Sequence, residues 1–179
     1  KAAHQGSMLA VGVELAEALT LIAPFGGAVS IAAINAPTAI TLAGDTAALE
    51  AIAAQLEARG AFNRMLKVEV AYHSPTMDPL LDELRECLAD LETGAPQLPV
   101  YSTVTGERIT DTAFDDEYWC RNVRQPVYFF KALEQLLADG YEDFLEVGPH
   151  PVLSTAIKEC FSRHQVKGML LSTLKRGAP

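Results

Sequence analysis

Of the residues in this 179-residue chain that could do chemistry, one histidine is set apart by its neighbours. His73 follows the strand-like run ending Val68-Glu69-Val70-Ala71-Tyr72 and is itself followed by Ser74 and Pro75, where a loop begins. A histidine at the exit of a strand can present its ring to a cleft and move protons near neutral pH. The plainer reading is a loop histidine held by hydrogen bonds. No nucleophile motif of the Gly-x-Ser-x-Gly type occurs anywhere in the chain. The residues therefore suggest half of an active site, the half that carries the base.

The rival is His150, in Glu146-Val147-Gly148-Pro149-His150-Pro151 just beyond an expected parallel strand. Ligands bind at the carboxyl ends of such strands. Alternatively, Gly148 and Pro149 shape a strand-to-helix turn that His150 caps, and this reading carries more weight. His73, His150 and Glu146 are of metal-ligand type, but no short ligand spacing joins them. His4 and His164 read as surface residues. The stretch from Tyr118 to Val127 is expected to be one irregular loop, in which Arg121 and Arg124 could hold a phosphate. The bland alternative is that Tyr118 and Trp119 anchor the loop while the arginines pair with nearby acids. Ser74 beside His73 makes a poor catalytic pair, because adjacent residues of an extended segment face opposite ways.

Composition narrows the classes. A formal net charge of −9 with scattered basic residues argues against a nucleic-acid partner. No apolar run reaches the roughly 20 residues that a membrane-spanning helix needs. The cysteines Cys87, Cys120 and Cys160 are odd in number and widely spaced, which fits reduced thiols in a cytoplasmic protein. The first residues lack a signal-peptide core and do not look like a natural start, so a longer parent is expected.

These residues need elements to position them. Met8–Val13 predicts a strand, Glu14–Ala23 a helix, and Ala28–Ile34 and Thr38–Leu42 a strand pair turning at Asn35-Ala36-Pro37. Asp45 is a natural N-cap for a helix over Thr46–Arg59, which Gly60 ends. A strand over Asn63–Val70 leads to His73. The order βαββαβ is that of a ferredoxin-like unit. Beyond it, helices are expected over Asp78–Leu91, Val127–Ala138 and Leu153–Phe161, and strands over Val100–Val104, Phe144–Val147 and Met169–Leu174. Alternating strands and helices predict a parallel α/β sheet, with too few strands here to stand alone.

The motifs Gly6-Ser7-Met8-Leu9-Ala10-Val11, Ala33-Ile34-Asn35-Ala36-Pro37, Ala71-Tyr72-His73-Ser74-Pro75, Tyr101-Ser102-Thr103-Val104-Thr105-Gly106, Tyr118-Trp119 with Arg121 to Val127, and Glu146 to Leu153 occur in one order along nearly the whole chain. Taken together they resemble the C-terminal portion of the acyltransferase domain of type I polyketide synthases. That family is similar to malonyl-CoA:acyl-carrier-protein transacylases. The resemblance implies an α/β fold, part of an α/β-hydrolase-like large subdomain with a complete ferredoxin-like small subdomain. Residues 1–73 would form the small subdomain, 74–174 the C-terminal part of the large one, and 175–179 the start of a linker.

The resemblance further implies transfer of an acyl group from acyl-CoA, through a serine ester, to the phosphopantetheine thiol of an acyl carrier protein. No bound cofactor is implied; acyl-CoA is a substrate. Partners would be the carrier protein, the ketosynthase and other synthase domains. By the same resemblance His73 is the general base, oriented partly through a backbone carbonyl in the loop matching Asn122. The nucleophile, the carboxylate-gripping arginine and the oxyanion-hole glutamine of the family find no match here, so this chain alone should have no transferase activity. Extender choice is carried in the family by four residues, here Val70-Ala71-Tyr72-His73. Bulky Tyr72 in the third place favours malonyl over methylmalonyl, with Ser74, Arg121 and Arg124 as further substrate contacts. The competing class is a non-catalytic ferredoxin-like binding or docking module, which fold alone permits.

Overall fold

The computed structural model describes residues 6–111 and 114–177. Its first half alternates as the sequence predicts, with shifted boundaries: β1 (Ser7–Val11), α1 (Leu15–Ile22), β2 (Val29–Ala36), β3 (Ala39–Gly44), α2 (Thr46–Ala58) and β4 (Asn63–Met65). These strands form one antiparallel sheet in the order β2-β3-β1-β4. Register explains its two faces. Leu9 sits opposite Leu42 and Val11 opposite Ile40, and this face packs on Leu49, Ile52 and Leu56 of α2 and Ala18 of α1. Each fully buried Leu or Ile in that layer contributes about 2 kcal/mol through removal of apolar surface from water. Asp45 caps α2 by accepting from Ala48 N–H at 2.9 Å, and Gly60 follows the helix at φ +68°.

The strand expected over Asn63–Val70 is shorter: β4 ends at Met65. Its partner β1 starts at Ser7, and the last pairing bond runs from Leu66 N–H to Met8 O. The chain then drops under the other sheet face, where Leu66, Val68 and Ala71 pack with Met8, Ala32 and Ala43. That descent delivers His73 beneath the sheet rather than at a strand tip.

The second half holds α3 (Asp78–Leu88), β5 (Val100–Ser102), β6 (Glu107–Ile109), α4 (Asp116–Arg124), α5 (Phe129–Ala138), β7 (Phe144–Glu146), α6 (Ser154–His164) and β8 (Leu170–Ser172). Strands β7 and β8 are parallel, whereas β5 and β6 form an antiparallel hairpin that the sequence reading had not separated. The largest correction is α4, expected as irregular loop. Asp115 accepts from Tyr118 N–H at 2.7 Å, Asp116 and Glu117 occupy the first turn, and Arg121 and Arg124 the last, so caps and charges all suit a helix. Phe144 and Leu170 turn inward onto Leu133, Ile157, Cys160 and Phe161.

Among the described residues, a main-chain bridge and a side-chain clamp help to tie the halves together. Val127 N–H donates to Ala32 O and Ile34 N–H to Val127 O, adding a single parallel bridge to the edge of β2. At the β2–β3 turn, the N–H and hydroxyl of Thr38 both donate to one carboxylate oxygen of Glu159 on α6, each at 2.9 Å.

Candidate active site

His73 has φ +60°, one of two non-glycine residues in the left-handed region among those described. Histidine tolerates that region better than most residues, yet it carries strain of about 1 kcal/mol or more. The turn is held by Ser74, whose hydroxyl donates to Ala71 O at 2.6 Å and accepts from Thr76 N–H at 3.3 Å. Ser74 is 1% exposed. The hydroxyl is turned inward and spent on the loop, while the residue lines a cleft with Pro75, Thr76 and Pro79. The same bonds remove Ser74 as a nucleophile for its neighbour.

The imidazole is half-buried, and its Nδ1 lies 2.9 Å from the carbonyl oxygen of Gln125. A carbonyl can only accept, so Nδ1 carries the proton. When the ring is neutral its basic lone pair is then on Nε2. The Asn122 carbonyl, expected to orient the ring in part, acts on it together with that of Gln125, which is the one at 2.9 Å. Burial holds the ring below the ordinary histidine value, while the Gln125 and Asn122 carbonyls pull it upward. Both carbonyls belong to the C-terminal end of α4, the negative end of its dipole.

The neighbouring residues separate by environment. Tyr72 is 48% exposed and Val70 is half-buried. Ala71, expected to line a pocket, is fully buried in the layer with Met8, Ala32 and Ala43 and forms part of the core. Arg124 is ion-paired with Asp78 at the start of α3. Arg85 is shared between Asp82 and Glu117. The Nε of Arg121 is buried and has no hydrogen-bond partner among the described residues. Arg85, Arg121 and Arg124 line one small cleft of about 80 Å³ beside Gln125. Tyr118 is buried with its hydroxyl on Ser102, whereas Trp119 stays partly exposed.

His150 lies away from such surroundings. It is exposed, and its Nδ1 accepts from Arg176 N–H at 3.3 Å. The residue that organises its loop is Glu146, whose carboxylate accepts from Val152 N–H, Leu153 N–H and the Ser154 hydroxyl at 2.6, 3.0 and 3.2 Å. Sequence reasoning missed this anchor, although a carboxylate ahead of a helix start is its usual signal. Among the described residues no group of three or more His, Cys, Asp or Glu is placed to hold a metal. His164 pairs with Glu134 at 3.1 Å. His4 lies outside the described residues. Among those described, no helix is long and apolar enough to cross a membrane.

This geometry suits a base at Nε2 that takes a proton from a hydroxyl or thiol brought to it. The comparisons with known proteins give the family. The family model described as acyl transferase domain matches residues 1–179. Erythronolide synthase EryA2 of Saccharopolyspora erythraea is 38% identical over 96% of this chain, a stretch that is 5% of that protein. Mycoketide-CoA synthase of Mycobacterium tuberculosis is 35% identical over 98% of the chain and 4% of its own length. The acyltransferase domain from module 8 of the salinomycin polyketide synthase superposes with a TM-score of 0.94 at 32% identity, over 97% of this chain and 41% of that one. The chain thus spans a small part of each synthase and about two fifths of that solved chain.

Proposed function

The chain belongs to the acyl transferase domain family, and from that premise we propose that it supplies the general base for acyl transfer in a polyketide synthase. The acyl group moves from CoA to a serine contributed by sequence outside these 179 residues, and from there to the phosphopantetheine thiol of an acyl carrier protein. In the first half-reaction Nε2 of His73 takes the serine proton as its oxygen attacks the thioester carbonyl. The CoA thiolate leaves and is protonated by the ring. In the second half-reaction Nε2 takes the thiol proton, sulfur attacks the ester, and the serine oxygen recovers a proton as it departs. The observation that carries this reading is the bond between Nδ1 of His73 and the Gln125 carbonyl, which leaves Nε2 basic.

Residues 1–73 act as a ferredoxin-like small subdomain, 74–174 as the C-terminal part of a hydrolase-like large one, and 175–179 as the start of a linker. Parallel strands are covered on both faces in stable folds. Here Leu145, Val147 and Leu171 leave the outer side of β7 and β8 exposed. We assign that side to the remainder of the acyltransferase domain, so the chain on its own does not turn over. The parent works in the cytoplasm beside its ketosynthase and other synthase domains, without a bound cofactor.

Exposed Tyr72 is the specificity residue of the four ending at His73. Its ring crowds an α-methyl, which favours malonyl. One methyl in a pocket discriminates by about 1–3 kcal/mol, so the preference is finite. Arg121, with its unpartnered Nε, is the better candidate for an anionic group of the pantetheine-bearing substrate, because Arg124 is already engaged by Asp78.

The deciding experiment is His73→Ala in the synthase that contains this chain, read by acyl transfer to the carrier protein. A loss of about 100- to 10,000-fold is expected from removal of the base. Unchanged transfer would return the chain to a non-catalytic docking module. Intact-mass measurement of the acyl-enzyme after exposure to both thioesters tests Tyr72, and a dominant methylmalonyl adduct would overturn the malonyl assignment.

A further inference from the structure

We infer that Pro126 is a positioning residue for His73, acting through the main-chain carbonyls at the end of α4. The inference rests on the reading of His73 as the base. Its starting point is the way α4 ends. Gln125 N–H donates to Arg121 O at 2.8 Å, the last regular bond of the helix. The next helical bond would run from the N–H of residue 126 to the carbonyl of Asn122. Proline has no N–H, so no helical donor from position 126 competes for the Asn122 oxygen, which raises the proton affinity of the His73 ring alongside Gln125. The bond after that would need Val127 N–H, which is committed to Ala32 O at 2.9 Å. Residue 126 is therefore the one place at the end of α4 where side-chain identity decides whether a carbonyl is free.

The same proline acts backward. A residue before proline is held out of the helical region, and Gln125 has φ −89° and ψ 162°, fully extended. That geometry swings the Gln125 carbonyl off the helix axis and onto Nδ1. With an ordinary residue at 126, nothing local opposes another helical residue at 125. Its carbonyl would then follow the axis, and the new N–H would occupy Asn122. A glycine would also stop the helix, but it would supply the donor that proline lacks. Removal of the donor and the extended bias together are what the two-acceptor cradle requires.

The experiment is Pro126→Ala, read first in the histidine ring by nitrogen NMR at a pH where the ring is neutral. The native protein is expected to show Nδ1–H as the dominant tautomer of His73, and the variant a mixture with Nε2–H. In the synthase that contains the chain, kcat for acyl transfer should fall about 10- to 100-fold, less than for loss of the base itself. KM for the acyl-CoA should stay within about twofold, since no substrate contact is altered. An unchanged tautomer in a folded Pro126→Ala protein overturns the inference. If that variant does not fold, Gln125→Gly decides, because it relaxes the extended bias while keeping the missing donor. Some gain of the Nε2–H form is expected, and none would overturn the role. A failed tautomer shift with an inactive His73→Ala protein removes only Pro126 from the mechanism. An active His73→Ala protein removes the functional reading itself.

Discussion

Nδ1 of His73 and the carbonyl oxygen of Gln125 meet at 2.9 Å across 52 residues of sequence, and residue 125 contributes only main chain to the contact. The Gln125 side chain is therefore dispensable. Gln125→Ala should leave acyl transfer by the synthase within about twofold, whereas His73→Gln should lose roughly 100-fold or more. Steady-state rates of carrier-protein acylation separate the two.

The burial of His73 predicts a pH signature. Desolvation lowers its affinity for a proton in the folded state, against the pull of the Gln125 and Asn122 carbonyls. Below about pH 6.5 the unfolded chain then binds more protons than the folded one. The stability contribution is full above that value and is lost as pH falls through the lowered folded one. Chemical denaturation between pH 7.5 and 5 should show a decline that His73→Gln flattens. The acid limb of kcat/KM should likewise fall below the ordinary histidine range.

The left-handed backbone at residue 73 sets stability against activity. Glycine adopts φ +60° without the Cβ clash that an L side chain meets. His73→Gly should therefore be more stable than His73→Ala by about 1 kcal/mol, although both lack the base. Paired urea denaturations give the difference, and equal stabilities would argue against strain at this turn.

Glu146 is predicted to matter for folding and not for chemistry. Burial raises its proton affinity, but the N–H groups of Val152 and Leu153 and the Ser154 hydroxyl outweigh it and hold the carboxylate below its usual range. Glu146→Ala should cost about 2 kcal/mol, in keeping with hydrogen bonds to a charged group. The native stabilisation is complete at neutral pH and is lost as the solution is acidified through the lowered value. Thermal melts of the variant at pH 7 and at pH 4 test both statements.

Much of the first half could be read from residue pattern because its signals are local. Asp45 as a cap, Gly60 as a stop and the alternation of Leu9 and Val11 each follow from short-range rules. The early end of β4 did not, since it depends on where β1 begins. Helix α4 has no aliphatic stripe to read: its buried residues, Tyr118 and Cys120, are two apart and so lie on different sides of the helix among charges. Its boundary signals, Asp115 and Pro126, were nonetheless present. His73 stands out from its place after a strand, and the Asn122 carbonyl is one of its main-chain partners, but the nearer one, at Gln125, carries no signal in the sequence. A carbonyl has no side-chain signature, and the choice between Asn122 and Gln125 rests on how a proline bends the chain. Flanking a histidine does not show how deep a residue lies: Ala71 joins the layer of Met8, Ala32 and Ala43, and Ser74 ties the turn.

Val127 is hydrogen-bonded to the rim of the four-stranded sheet on both sides of Ala33, two positions beyond the carbonyl that holds the imidazole. Sliding of that sheet across α5 and α6 would drag this short tether and shift the ring with it. The imidazole is thereby joined to the edge of the sheet through three consecutive residues of main chain, Gln125 to Val127, so its place is set by the sheet as well as by the helix.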